Sequence, residues 1–332
     1  MMSTPEEQLQ LLYTVLYQLR ALNYVTLSCV AFLVYDILTN LDKEVHYIWR
    51  YYHNTDETRV SWRRRLRRAL VQVLFIFGRY YALLYLVGYF AVYNRQGLSI
   101  PVCKGFYYYT VLAGQILYTT LVNVILVMRL NVLYQIFHGI EGLQKYQFFL
   151  GTVVVVEFLI ELAVGISAST WIQENVVEPP AGIPWPGCIM DKKPNLALTL
   201  PGWIVASLVA TTLFGLTLHL LFSSMRWRPR SLRDFTISNM REEIRNIQPA
   251  TLMLIGDGVL FYIPMFAVLI VSSVIASIYR TYLSEITTPV IMALYSFCSS
   301  RFIIHTRETV SQQAYRRQVE ELSLVSLSRV HR

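Results

Sequence analysis

The sequence predicts an all-α, polytopic membrane protein: a bundle of seven transmembrane helices, N-terminus outside and C-terminus cytoplasmic. Three observations predict it. Of 332 residues, 55% are hydrophobic and 15% charged, whereas soluble domains carry about 25% charge. Mean hydropathy is +0.42. Seven apolar stretches are long enough to cross a bilayer, and the basic residues gather on one side of them.

The stretches are, in order, roughly Ala21–Leu38, Ala69–Tyr93, Tyr107–Phe137, Phe148–Ala168, Leu198–Phe222, Ala250–Ile278 and Tyr282–Ile304. Each meets the requirement of about 17–25 residues for a spanning helix. They are continuous apolar runs, not short alternating segments, which excludes a membrane barrel. Residues 1–20 precede them as an extracellular segment. Its helically spaced Leu9, Leu12, Tyr13, Leu16 and Tyr17 read as a solvated or interfacial extension of the first span. With Glu6 and Glu7 and no basic residue before Arg20, it lacks the basic start of a signal peptide. Residues 21–304 form the helical domain, and 305–332 a cytoplasmic tail in which Ser323, Ser326 and Ser328 read as disordered.

Orientation follows from the 29 Lys and Arg. Twenty-two fall on one side, six on the other, and Arg79 lies within a span. The rich side holds the run Trp62–Arg68, the loop from Arg226 to Arg245, and the tail. Basic residues stay cytoplasmic because translocating them is unfavourable. The run Trp62–Arg68 therefore reads as a juxtamembrane cluster facing anionic lipid, not as a nucleic-acid site.

Cys103 and Cys188 both fall on the outer side, where a disulfide persists. Their pairing would pin the connection containing PPAGIPWPGC over the mouth of the bundle. Cys29 and Cys298 lie inside spans as packing residues.

The spans hold Asp36, Glu157, Glu161, Asp257 and Glu285 against Arg79 alone. Ionisable groups at depth face the bundle interior and pair, or they mark function. Arg79 and Glu157 map near the midplane, Asp36 and Asp257 to the inner third, and Glu161 and Glu285 to the outer half. The expected buried network is Asp36, Arg79 and Asp257, with Glu157 or Asp257 as the partner of Arg79. The ligand-pocket candidates are Glu157, Glu161, Glu285, Trp171 and Trp203. Glu157 and Glu161 share a helix face through their four-residue spacing. The aromatics Tyr107, Tyr108, Tyr109, Trp171, Trp185 and Trp203 cluster at the outer ends, as an interfacial belt or as pocket lining. Gly256, Gly258 and Pro264 make the sixth span the hinge candidate.

All five lysines lie in loops, which excludes a retinal-type Schiff base in the core. The sequence contains no HExxH, DDxxD or GxxxxGK[ST] motif. The six histidines are scattered, so neither a metal nor a cofactor is expected.

Several local motifs share a pattern. The first span and loop read Tyr35-Asp36-Ile37-Leu38-Thr39, Glu44-Val45 and Ile48-Trp49, and the second span carries Arg79-Tyr80. This YDxLT…EVxxIW…RY arrangement, over about residues 24–93, resembles the N-terminal domain of unknown function of a fungal, mainly basidiomycete, family of multi-pass membrane proteins. Met128-Arg129-Leu130, Asp257 to Tyr262 and Ser300 to Ile304 are similar to later parts of that family. The resemblance implies seven spans and a membrane location, and no activity.

The functional expectation is a receptor-like protein sensing a small apolar or cationic ligand, with a G-protein-coupled-receptor-like plan. Arg129 lacks a preceding acid, and the last span has Pro289 and Tyr295 but no Asn-Pro-x-x-Tyr, so coupling to a G protein does not follow. The alternatives are a membrane-embedded enzyme acting on a lipid or terpenoid through its carboxyls, and a proton-coupled transporter. The expected partners are membrane lipids, a small molecule and a cytoplasmic signalling protein, in the plasma membrane or another secretory-pathway membrane.

Overall fold

The computed structural model describes residues 5–49, 62–138, 143–178, 185–190, 196–224, 249–278 and 282–330. Helices dominate. α1 spans Pro5–Glu44 and runs into a π-helical turn at Val45–Trp49. α2 (Trp62–Ile76) and α3 (Ala82–Asn94) are joined without a break by a π-turn at Phe77–Tyr81. α4 (Ile100–Tyr108) and α5 (Tyr118–His138) are joined likewise by the π-helical stretch Tyr109–Leu117. α6 is Leu143–Glu174, α7 Leu196–Ser224 and α8 Pro249–Ile278. A 3-10 turn at Tyr282–Ile286 leads into α9, Thr287–Val330.

The protein is an integral membrane protein. Among the described residues, six helices are long and apolar enough to cross a bilayer, from Leu12–Trp49 to Thr287–Glu308. A shorter apolar segment, Tyr262–Ile275, lies within α8.

Long helices form both ends of the chain. α1 passes unbroken through Arg20, and Leu19 and Leu22 are buried in the main core. Leu12, Val15 and Leu16 pack against that core, while Leu9, Tyr13 and Tyr17 are exposed. α9 likewise continues to Val330 where a disordered tail is predicted. The basic loop Arg226 to Arg245 lies outside the described residues, as do the side chains of Arg63 to Arg68.

Interior packing is aromatic. Phe77, Tyr81, Tyr85, Tyr89 and Tyr93 recur every four residues, so they stack along one face through the π-turn and α3. Tyr118 joins this column and donates to the Gly78 carbonyl at 2.8 Å. At Gly114 a Cβ would lie 2.3–2.5 Å from the ring and hydroxyl of buried Tyr85. The α2–α3 column and the π-stretch touch there only because position 114 has no side chain. Gly114→Ala is therefore expected to lower stability in detergent by about 1–3 kcal/mol, through overpacking. Gly151 meets nothing within 4 Å, so Gly151→Ala should melt at or above the wild-type temperature. Equal melting of both variants would refute the assignment.

One end of the bundle is closed by the Cys103–Cys188 disulfide. The short hairpin β1 (Val176–Val177) and β2 (Ile189–Met190) pairs Val176 with Met190 antiparallel. Gly187 turns the chain at φ +77°, where a Cβ would press on Tyr93 at 3.1 Å. Its N–H donates to the Arg95 carbonyl at 3.0 Å.

Candidate functional site: a carboxylate-lined cavity and a buried charge network

Two sets of ionisable side chains lie at different levels of the bundle. The first forms the buried network. Asp36 and Glu44 sit eight residues apart on α1, about two turns, and so share a face. Arg79 lies between them: Nη1 is 3.1 Å from Asp36 Oδ2 and Nε is 3.1 Å from Glu44 Oε2. Nη2 donates to the Asp36 carbonyl at 3.1 Å. Arg301 of α9 adds a second guanidinium, with Nη2 and Nε 2.9 and 3.0 Å from Asp36 Oδ1. Asn40 donates to the same oxygen at 3.0 Å. Trp49 and Tyr80 donate to Glu44 Oε1. Two carboxylates and two guanidiniums balance formally, in a site where Arg79, Asp36 and Glu44 are all buried.

Arg79 pairs with Asp36, a member of the expected network, and with Glu44; among the described residues Glu157 is not one of its ion-pair partners. A helical Cα–Cβ bond tilts toward the helix N-terminus, so Arg79 reaches back toward the start of α2, where α1 ends. Glu157 lies on α6, which packs on α5 and α7. The Asp257 side chain lies outside the described residues, although its backbone is part of α8. Sequence reasoning missed Glu44 and Arg301 by counting both as loop or tail charges. Their signals were present: Glu44 opens the EVxxIW element, and Arg301 follows the buried Ser299 and Ser300 in the last span.

The second set surrounds a cavity of about 220 Å³ on the disulfide side of the bundle. Its lining includes Glu161 of α6, Trp203 of α7 and Glu285 of the 3-10 turn. Three of the five predicted pocket residues thus meet at one space. Tyr107, Ile172 and Met190, all packed in the disulfide cluster, also contribute to the lining. The π-stretch lends Thr110, Gly114, Gln115 and Ile116 to one wall. A π-helical turn shifts the register of side chains against a regular helix, and such turns recur at functional sites. Gln115 donates to Thr288 Oγ1 at 3.1 Å, linking two walls.

The carboxyls differ in their surroundings. Glu285 Oε2 accepts from the Tyr89 hydroxyl at 3.3 Å. Glu161 Oε2 is buried without a hydrogen-bond partner. Glu157 lies one turn from Glu161 but does not line the cavity. Both its oxygens accept from Asn123 Nδ2, at 2.9 and 3.0 Å, and its residue is 2% exposed. Trp171 does not line the cavity either; its carbonyl accepts from Asn175 at 2.7 Å. Of the remaining end aromatics, Tyr107 and Trp185 are buried within the protein, not ranged along a lipid-facing belt.

The comparisons with known proteins bear on the network more than on the cavity. A family of unknown function, DUF6533, matches residues 24–84. That segment contains Asp36, Glu44, Trp49, Arg79 and Tyr80, the core of the network, and ends before the cavity-lining residues begin. No curated protein and no solved structure matches the chain.

Proposed function

We propose that the protein is a receptor-like, small-molecule-binding membrane protein, and that the cavity bearing Glu161, Trp203 and Glu285 is its ligand site. The observation that carries this reading is the cavity itself. A concave, mainly apolar space with a few convergent polar groups is the default form of a small-molecule site. In this reading α8 also crosses the bilayer, as the sixth of seven spans, the disulfide end faces outside and the α9 end faces the cytoplasm, in accord with the distribution of Lys and Arg. The tethered hairpin then covers the cavity at the outer surface. A ligand touching Leu269 of α8 and Met292 of α9 biases the packing of those two helices, which extend to the opposite end. Pro264, inside α8, supplies the point of bending.

Two measurements test the reading on the purified full-length chain. The first is a thermal-shift screen of small molecules. A true ligand at about 100 times its Kd should add about 2.7 kcal/mol of stability. The second is Ala206→Phe, which places a ring in the cavity from α7. It should abolish every ligand-induced shift while the unliganded protein still folds. Shifts that persist in Ala206→Phe would overturn the assignment of the cavity as the site.

A further inference from the structure

The charge of the lining points to a ligand class. Among the described residues that line the cavity there are two carboxyls, Glu161 and Glu285, and no Lys, Arg or His. No group of three metal-ligating side chains occurs among the described residues, so the lining suits an organic cation better than a metal ion. The two acids are not equivalent. Tyr89 already donates to Glu285, while Glu161 Oε2 is buried and unpartnered. Thr119 on the facing helix hydrogen-bonds the Glu161 carboxyl and also reaches the Gln115 carbonyl at 2.7 Å, so one carboxyl oxygen is left to a ligand. An unmet buried acceptor is destabilising, and a donor arriving with a ligand relieves it.

The remaining walls define the rest of the ligand. Ile116, Val164, Leu269 and Ile291 are aliphatic, and Trp203 adds an aromatic face on which a cation is favourably placed. The volume, about 220 Å³, is below the range of roughly 300–1,000 Å³ usual for drug-sized ligands. From this geometry we infer that the cavity takes a small primary or secondary ammonium with one short apolar body. Its N–H groups donate to Glu161, and Glu285 supplies a second negative wall. This inference rests on reading the cavity as the ligand site and adds the charge and size of what enters it.

The test uses two near-isosteric probes, 2-phenylethylammonium and 2-phenylethanol, titrated calorimetrically into the full-length protein in nanodiscs at pH 7. The ammonium should bind saturably at one site per chain, at least tenfold more tightly than the alcohol. Glu161→Gln should bring the two probes to within about threefold of each other, chiefly by weakening the ammonium. Glu285→Gln should weaken the ammonium less than Glu161→Gln does. Melting of each variant within a few degrees of wild type shows that it is folded. Equal affinities for both probes in the wild type, unchanged in Glu161→Gln but lost in Ala206→Phe, would overturn the ammonium inference and leave the cavity reading intact. Binding of either probe that survives Ala206→Phe would overturn both. Absence of saturable ammonium binding while other molecules still produce cavity-dependent thermal shifts would overturn the ammonium inference alone.

Discussion

Arg79→Ala should destabilise the protein by about 3–5 kcal/mol, the usual cost of removing one partner from a buried ion pair. The truncation removes a side chain that is 1% exposed and leaves Asp36 and Glu44 facing each other's environment with a lost guanidinium between them. Glu44 retains Trp49 and Tyr80 as donors. Asp36 retains Asn40 and Arg301, but Arg301 is 37% exposed and so compensates less. Arg79→Lys should recover part of the loss, because a point charge cannot bridge both carboxylates as the planar fork does. The triple change Arg79→Gln, Asp36→Asn and Glu44→Gln should return stability to within about 2 kcal/mol of wild type, since it removes the charges together. Arg301 can then turn to solvent. Thermal denaturation in detergent reads all three. An Arg79→Ala protein that melts with the wild type, or a triple variant less stable than the single one, would show that the network does not hold α1, α2 and α9 together.

Cys103→Ala with Cys188→Ala is the second large effect expected, about 2–4 kcal/mol. The bridge joins positions 85 residues apart and ties the hairpin to the start of α4. Met190, two residues beyond Cys188, lines the cavity, so the loss should reach the site as well as the global melt. Backbone amides of 176–177 and 187–190 should exchange faster by hydrogen–deuterium measurement, and any cavity-dependent ligand shift should shrink. Mutating Cys29, a half-buried free thiol, should leave both readouts close to wild type. Unchanged exchange in the hairpin after removal of the bridge would show that Tyr93 and the Gly187 turn, not the disulfide, hold the roof.

These two features were legible in the sequence to different degrees. The disulfide followed from two facts: the cysteines share a side of the membrane, and the other two fall inside spans. The network was half legible. Asp36 and Arg79 stood out as charges within apolar runs, and the motif around them also contained Glu44. What could not be read was the pairing. The Arg79 side chain runs toward the α2 N-terminus, and only the packing of α1, α2 and α9 shows which carboxylates wait there. Arg301 needed the same information, because it is distant in sequence and sits at the edge of the last apolar run.

The cavity shows the limit more sharply. Glu157 and Glu161 stand one turn apart on α6, yet they have different surroundings. Asn123 of α5 takes both oxygens of Glu157, and Glu161, one turn along, opens onto the space. Trp171 and Trp203 looked alike as end-of-span aromatics, and only Trp203 lines the cavity. The π-helical stretch at Tyr109–Leu117 had no periodic signature against the apolar background, so the wall it builds was invisible.

The sequence by itself determined that this chain is a helical membrane protein, which residues carry charge into its apolar interior, and which cysteines can pair. Those properties depend on composition, run length and local spacing, all of which are one-dimensional. The tertiary structure alone decided that Arg79 joins Asp36 and Glu44, that Glu161 and Glu285 meet across one cavity, and that Glu157 does not. Each of these depends on the rotation and register of one helix against another, which are set by close packing between residues far apart in the chain.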